Sequence, residues 1–170
     1  MPGPSLALGF KRGGSLAAAI ARANLGPDEG TSVSTRGRSG PERRASAERD
    51  GTLPDFPLVV LVNGSSASAS EIVAGALADN GRAVILGERT FGKGSVQGVY
   101  RLASGQGQLK ITEAYYYLPS GRKLHRETDS TVWGVDPNDG FYVPMTAEEN
   151  REMWRVRRDL EILRDRDDND

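Results

Sequence analysis

The stretch between residues 57 and 97 places the strongest constraint on how this chain can fold. It begins with an apolar run over 58–62, and a run that is short, rich in β-branched residues and uncharged predicts a buried strand. Asn63-Gly64 then supplies turn residues, and only Ser and Ala follow over 65–70. The sequence therefore predicts a strand that enters a tight turn of small side chains.

The residues after this turn favour a helix, a second strand and a glycine-rich loop. From Glu71 onward apolar side chains recur at helical spacing, and Asn80-Gly81 is suited to end the helix. The apolar face consists of Ile72, Val73, Ala76 and Leu77. A second apolar run over 83–86 predicts the next strand, and the loop GERTFGKGS over 87–95 contains Lys93.

A serine in such a turn can act as a nucleophile, because unpaired backbone N–H groups and the helix dipole favour developing negative charge. Serine needs a base, and a lysine can serve when desolvation lowers its pKa from about 10.4 towards neutrality. The residues alone leave another interpretation open, in which the serines are helix caps and Lys93 is solvated. The lone histidine, His125, lies in the charged stretch LHRETD, which argues against a Ser–His–Asp site.

Residues 51–137 resemble the C-terminal processing peptidases, also called tail-specific proteases. The resemblance rests on the run VLVNGSSASASEIVAGALADNGRAVILGERTFGKGSVQ and on the later segment ITEAYYYLPSGRKL. It implies that Ser68 is the nucleophile and Lys93 the general base, and that Gln97, one helical turn further on, holds Lys93. The separations, 93 − 68 = 25 and 97 − 93 = 4 residues, agree with the family pattern.

The resemblance also implies an oxyanion hole made of backbone N–H groups. One would come from Ala69, the residue after the nucleophile, and the other from the glycine pair Gly13-Gly14. The chain departs from the family pattern just upstream, because Arg12 replaces a proline and MPGPSLALGFKR lacks an aspartate. Among the neighbouring side chains, we expect Glu71 to complement the helix dipole. Turn or capping roles are expected for Ser65, Ser66 and Ser70.

The fold class expected is α/β: a mixed, twisted sheet with packed helices, and a C-terminal helix. The resemblance implies the superhelical core, here partial, shared by crotonases and Clp proteases. We expect a poorly ordered segment over 1–14, the C-terminal part of a peptidase core over 15–145, and a C-terminal helix with a frayed tail over 146–170. The family's PDZ domain and first core strands have no counterpart in the sequence, which would make the chain the C-terminal part of a peptidase.

Local patterns predict the remaining elements. The predictions are a helix from Ser15 to about residue 24, strands over 31–35, 95–102 and 108–117, and a charged solvated loop over 36–50. Pro119-Ser120-Gly121 predicts a hairpin turn, and Thr146 with Glu149 predicts a capping box. The final helix carries a narrow apolar stripe, which we expect to pack on the domain or on a partner chain.

Composition excludes several classes of function. Lys+Arg number 22 against 23 Asp+Glu, so no nucleic-acid partner is expected. The absence of cysteine excludes disulfides and thiol catalysis, and one histidine makes a zinc site unexpected; no metal or other cofactor is required. No apolar run is long enough to span a membrane. The N-terminus has no export signal, whereas the family usually works outside the cytoplasm; compartment and homo-oligomerisation stay open.

Three functional hypotheses follow. The first is a serine-type endopeptidase that cleaves protein or peptide substrates near their C-termini with a Ser–Lys dyad. The second is a non-catalytic remnant that binds peptides or takes part in assembly, which the missing family segments favour. The third is a crotonase-type acyl-CoA enzyme, for which the sequence shows no CoA-binding signature and which leaves the serine–lysine pair unexplained.

Overall fold

A computed structural model of the chain describes residues 5–15, 19, 31–46, 56–103 and 105–161. Within these residues the chain forms seven strands and two helices. The strands are β1 Ser5–Ala7, β2 Thr31–Gly37, β3 Arg43–Ser46, β4 Val59–Val62, β5 Val84–Gly87, β6 Ser95–Arg101 and β7 Gln108–Tyr117. The helices are α1 Ala69–Asp79 and α2 Ala147–Glu161.

The first sheet is parallel and contains the strand that leads to the small-residue turn. Its order is β1-β4-β5, so β4 is central, and Val60 and Val62 are buried. The far side of β5 is covered by residues 138–143: the Asn138 N–H donates to the Ile85 carbonyl at 3.0 Å, and the Val143 N–H donates to the Gly87 carbonyl at 2.8 Å. This segment satisfies backbone groups that a free sheet edge would expose.

The second sheet is antiparallel, with the order β3-β2-β7-β6. The α/β class is confirmed, but the strands divide between two sheets instead of forming the single mixed sheet that the sequence suggested. The connections explain the division. Helix α1 is the crossover between parallel β4 and β5, whereas the few residues between β6 and β7 permit only antiparallel pairing.

Helix α1 lies in contact with strands of both sheets, β5 of the first and β2 of the second. Every residue from Ala69 to Leu77 is therefore buried, including Glu71. Each large side chain buried here, such as Ile72 or Leu77, contributes about 1.5–3 kcal/mol relative to exposure. Space is tight at Gly75, where a Cβ would lie 2.4 Å from Cδ2 of the buried Leu118.

Most elements that local patterns predicted are confirmed. They include the strands over 31–35, 58–62, 83–86, 95–102 and 108–117, the turn over 119–121, and the helix from residue 71. The capping box is confirmed because the Thr146 N–H donates to Glu149 Oε2 at 2.7 Å and the Glu149 N–H to Thr146 Oγ1 at 3.2 Å. The division of the chain at residues 14/15 and 145/146 stays a prediction.

Four expectations need correction or fall at least partly outside what the structure describes. Poor order over 1–14 is wrong for Ser5–Ala7, and a solvated loop over 36–50 is wrong for Arg43–Ser46, because both segments pair with distant or neighbouring strands. The helix expected from Ser15 lies mostly outside the described residues, although the Ala19 N–H donates to the Ser15 carbonyl at 3.0 Å. The α2 apolar residues Met153, Val156 and Leu160 are exposed and do not pack on the domain, while packing on a partner chain stays a prediction.

The close approach of Leu118 to Gly75 predicts the sign of the stability change in Gly75→Ala, for which helix propensity and packing have opposite effects. Helix propensity alone would make Gly75→Ala stabilising by about 1 kcal/mol. We expect it instead to destabilise the fold by about 1–3 kcal/mol, because the new methyl group overpacks against Leu118. Urea unfolding measures the change, and the penalty should shrink in a Leu118→Ala background. A stabilised single variant would contradict the packing described.

Candidate active site

The small-residue turn between β4 and α1 is built by side-chain hydrogen bonds. Asn63 Oδ1 accepts from the N–H groups of Phe10 and Ser65, at 3.0 and 3.1 Å. Ser66 Oγ accepts from the Asn63 N–H at 3.0 Å and donates to the Leu8 carbonyl at 2.9 Å. Asn and Ser are therefore needed here because their short polar side chains replace backbone partners in a turn.

The same turn is fastened to residues 8–14. The Lys11 carbonyl accepts from the Ala67 N–H at 2.9 Å and from Ser70 Oγ at 3.1 Å. Ser66 and Ser70 thus have the structural roles expected of them, but their partners lie more than fifty residues away along the chain. These bonds bring Gly13-Gly14 to the start of α1.

Ser68 has a backbone conformation that is rare for a residue with a side chain. It is the N-cap of α1, with φ 59° and ψ −117°. Such a conformation costs on the order of 1–3 kcal/mol and persists only where surrounding contacts enforce it. A positive φ at a serine between a strand and a helix is also the geometry that exposes the nucleophile in α/β-hydrolases. The Ser68 side chain is half-buried.

The Glu71 carboxylate connects the turn of Ser68 to the loop of Lys93. Oε2 accepts from the Ser68 N–H at 2.7 Å and from the Lys93 N–H at 2.9 Å. Oε1 accepts from the Gly92 N–H and from Thr90 Oγ1, both at 2.6 Å. A single carboxylate oxygen therefore binds the backbone N–H groups of both Ser68 and Lys93.

Glu71 is completely buried, and this burial raises the pKa of its carboxyl, while the four donated hydrogen bonds act in the opposite direction. Glu71 lies in the first turn of α1, as expected of a residue that complements the helix dipole, but its oxygens also bind the loop, which the sequence did not indicate. The hydrogen-bonded pair of Glu71 and Thr90 also leaves no room for a side chain at Gly134. A Cβ there would lie 2.6 Å from Thr90 Oγ1 and 3.2 Å from Glu71 Oε1. The one available signal in the sequence was an acidic residue inside a helix that is otherwise uncharged up to Leu77.

Lys93 and Gln97 both have exposed side chains. Within the described residues, no hydrogen bond or ion pair holds the Lys93 amine, and water is not excluded from it. Gln97 lies in β6, so the description of the two residues as one helical turn apart is wrong; the chain between them is extended. A register shift between Val96 and Gln97 marks a β-bulge, which re-aims side chains in a strand.

The three candidate oxyanion donors lie side by side. A Cβ at Gly13 would lie 4.0 Å from the Ser68 Cβ, and a Cβ at Gly14 would lie 3.7 Å from the Ala69 Cβ. Gly13 has φ +154°. None of the N–H groups of Gly13, Gly14 and Ala69 has an acceptor in the part of the chain that the structure describes.

His125 stabilises the Lys93 loop from the other side. Its Nδ1 accepts from the Gly94 N–H at 3.3 Å, and its ring lies 5.0 Å from that of Tyr115. Within the described ranges, no cluster of His, Cys, Asp or Glu could hold a metal ion. The same residues contain no helix that is both long and apolar enough to cross a membrane.

Comparison with known proteins agrees with this arrangement. The sequence profile of Peptidase family S41 matches residues 8–139. The chain belongs to Peptidase family S41. The matched region includes the Gly13-Gly14 segment, the Ser68 turn and the Lys93 loop, and it begins one residue after β1 ends.

Individual relatives of this S41 chain are C-terminal processing proteases. It is 46% identical over 125 residues to the carboxy-terminal-processing protease of Bartonella bacilliformis, which covers 73% of this chain and 29% of the relative. It is also 46% identical over 135 residues to the carboxyl-terminal-processing protease of a Synechocystis species, which covers 79% of this chain and 30% of the relative. The chain thus spans less than a third of the length of these relatives.

A solved structure of a photosystem II D1 C-terminal processing protease is similar to this chain. The TM-score is 0.72 at 34% sequence identity, over 87% of this chain and 37% of that protein. The expected fold family is therefore confirmed, and the resemblance stated from the sequence is confirmed with it.

Thr90 offers a test of the buried hydrogen bonds. Its hydroxyl donates to Glu71 and accepts from the Val135 N–H at 2.8 Å, so Thr90→Val would leave the buried Val135 N–H without this acceptor and remove one of the two hydrogen bonds to Glu71 Oε1. We expect a loss of about 1–3 kcal/mol in unfolding free energy. Thr90→Ser keeps the hydroxyl and is the matched control. Equal stability of the valine and serine variants would contradict the network.

The raised pKa of Glu71 predicts a pH dependence of stability. Because its folded pKa lies above the ordinary value of 4.5, Glu71 contributes most below that value and loses its contribution as pH rises through the folded pKa. We compare unfolding free energies of the native chain and the non-titrating Glu71→Gln variant between acid and neutral pH. Their difference should fall as pH rises, and a difference that grows with pH would contradict the assignment.

Proposed function

We propose that this S41 chain is a serine endopeptidase that cleaves polypeptides near their C-termini with Ser68 and Lys93. The observation that carries the proposal is the shared hydrogen bonding of the Ser68 and Lys93 N–H groups to one Glu71 oxygen. This bond fixes the positions of two backbone segments that come from different elements. The C-terminal specificity rests on the names of its relatives and extends only by analogy to this chain.

In the proposed reaction, Ser68 Oγ attacks the scissile carbonyl while the neutral Lys93 amine takes the hydroxyl proton. The resulting oxyanion accepts hydrogen bonds from the Ala69 N–H and from one N–H of Gly13-Gly14. The C–N bond then breaks as Lys93 returns the proton to the leaving amine. Water hydrolyses the acyl-enzyme with Lys93 again as base, so no metal or other cofactor takes part.

Because Lys93 is exposed, the proposed mechanism needs the bound substrate to desolvate its amine. The described residues do not exclude water from the amine, and a lysine base requires desolvation. A polypeptide lying across Ser68 would cover Lys93 and supply that desolvation. Gln97, re-aimed by the bulge in β6, is proposed to hold the Lys93 amine in the bound state.

The test is cleavage of an unfolded protein by the purified chain and by matched variants. Ser68→Ala and Lys93→Ala should each lower turnover by more than about a thousandfold, since nucleophile and base act as a unit. Ser39→Ala and Lys110→Ala change the same residue types at exposed positions outside the site and should leave turnover within about twofold. Circular dichroism shows that each variant is folded.

Turnover that survives Ser68→Ala would refute the dyad. A folded native chain without turnover would instead favour the alternative of a non-catalytic peptide-binding or assembly module. The exposed amine of Lys93 is the observation that keeps this second function under consideration. Peptide binding by the folded, inactive chain would then be its positive evidence.

A further inference from the structure

A cleft with a volume of about 880 Å³ lies between the turn at residues 10–12 and one face of α2. Four arginines and two aromatic residues contribute to its lining. They are Arg12, Arg151, Arg155, Arg158, Phe10 and Trp154. None of the described lining residues is acidic, although the whole chain has a net charge of −1. The cleft is therefore a local concentration of positive charge.

Two of these arginines are available to a ligand. Arg155 pairs with Glu152, and Arg158 pairs with Asp159 at 3.3 Å. In contrast, Arg12 and Arg151 have no ion-pair partner within the described ranges. Trp154 is 49% exposed, and the Arg158 guanidinium lies 5.0 Å from its ring centre. An apolar surface thus lies between cationic groups.

The cleft adjoins the proposed nucleophile. Ser65, which also lines it, belongs to the same turn as Ser68, and Arg12 directly precedes Gly13. The Arg157 Nη1 donates to the Gly9 carbonyl at 2.6 Å and holds α2 against this turn. A polypeptide with its scissile bond at Ser68 would reach the cleft within a few residues of that bond.

We propose that this cleft binds an acidic stretch of the substrate polypeptide, with carboxylates on Arg12 and Arg151 and an apolar side chain on Trp154. Arginine is suited to this role because its guanidinium binds carboxylates with two parallel hydrogen bonds. The proposal rests on the proposed function, since it names the class of substrate that reaches Ser68. A polypeptide fits better than a nucleic acid, because only two arginines are unpaired and the chain as a whole is slightly acidic.

The test measures peptide binding to the Ser68→Ala protein, so that it does not depend on turnover. The probes are a fluorescein-labelled Asp-rich peptide containing one Phe and the same peptide with every Asp replaced by Asn. Fluorescence anisotropy should show the Asp peptide binding about tenfold more tightly, with a difference that falls at high salt. Equal affinity of the two peptides would overturn the proposal.

Matched charge reversals locate the binding. Arg151→Glu should weaken binding of the Asp peptide by about fivefold or more, because it replaces an attractive charge with a repulsive one. Arg101→Glu makes the same change at the exposed end of β6, away from the cleft, and should alter affinity by less than about twofold. Equal losses in both variants would show non-specific attraction and would overturn the proposal, as would stronger displacement by a short oligonucleotide than by unlabelled Asp peptide.

Turnover by the native chain separates this inference from the function on which it rests. Faster cleavage of the Asp peptide than of the Asn peptide, with the preference lost in Arg151→Glu, supports both proposals. If both peptides bind with equal affinity and are cleaved at the same rate, the proposed acidic-substrate site is rejected and the proposed peptidase function stands. Absence of cleavage in a folded chain that still binds the Asp peptide at the cleft rejects the peptidase and keeps the binding site.

Discussion

The buried Glu71 carboxylate is the interaction on which the rest of this site depends. Its two oxygens accept four hydrogen bonds, from Ser68, Thr90, Gly92 and Lys93, and no other side chain joins α1 to the loop in this way within the described residues. A completely buried carboxylate without such partners would be strongly destabilising. The fold therefore requires the loop to close over Glu71, and closing it places the Lys93 backbone beside that of Ser68.

The surrounding architecture keeps the few hydrogen bonds around Glu71 in place. Contact with strands of both sheets buries α1 from its first residue, so the start of the helix cannot fray, and residues 8–14 are fastened to it by the Lys11 carbonyl. The strained backbone of Ser68 is held by contacts on both sides of the turn. The hydrogen-bonded parts of the site are thus backbone groups, whereas the Lys93 and Gln97 side chains, which are proposed to act when substrate binds, are exposed.

Local patterns in the sequence predicted most elements, because strands such as 58–62 and helices such as that from residue 71 depend on spacing within a few residues. They did not predict β1 and β3, whose residues become strands only through pairing with other parts of the chain. For the site, residue types indicated a serine of the small-residue turn and Lys93, and the family resemblance singled out Ser68. The role of Glu71 could not be predicted, because all of its partners except Ser68 lie 19 to 22 residues away in the sequence. Its position in the helix suggested only an interaction with the helix dipole.

The most direct test of the account is covalent labelling of the folded chain with a fluorophosphonate, followed by peptide mapping by mass spectrometry. A serine becomes reactive to such a reagent only when a base and oxyanion donors activate it. The account predicts a single adduct on Ser68 that disappears in Lys93→Ala while the variant remains folded. An adduct on another serine, or no adduct on a folded chain, would contradict it.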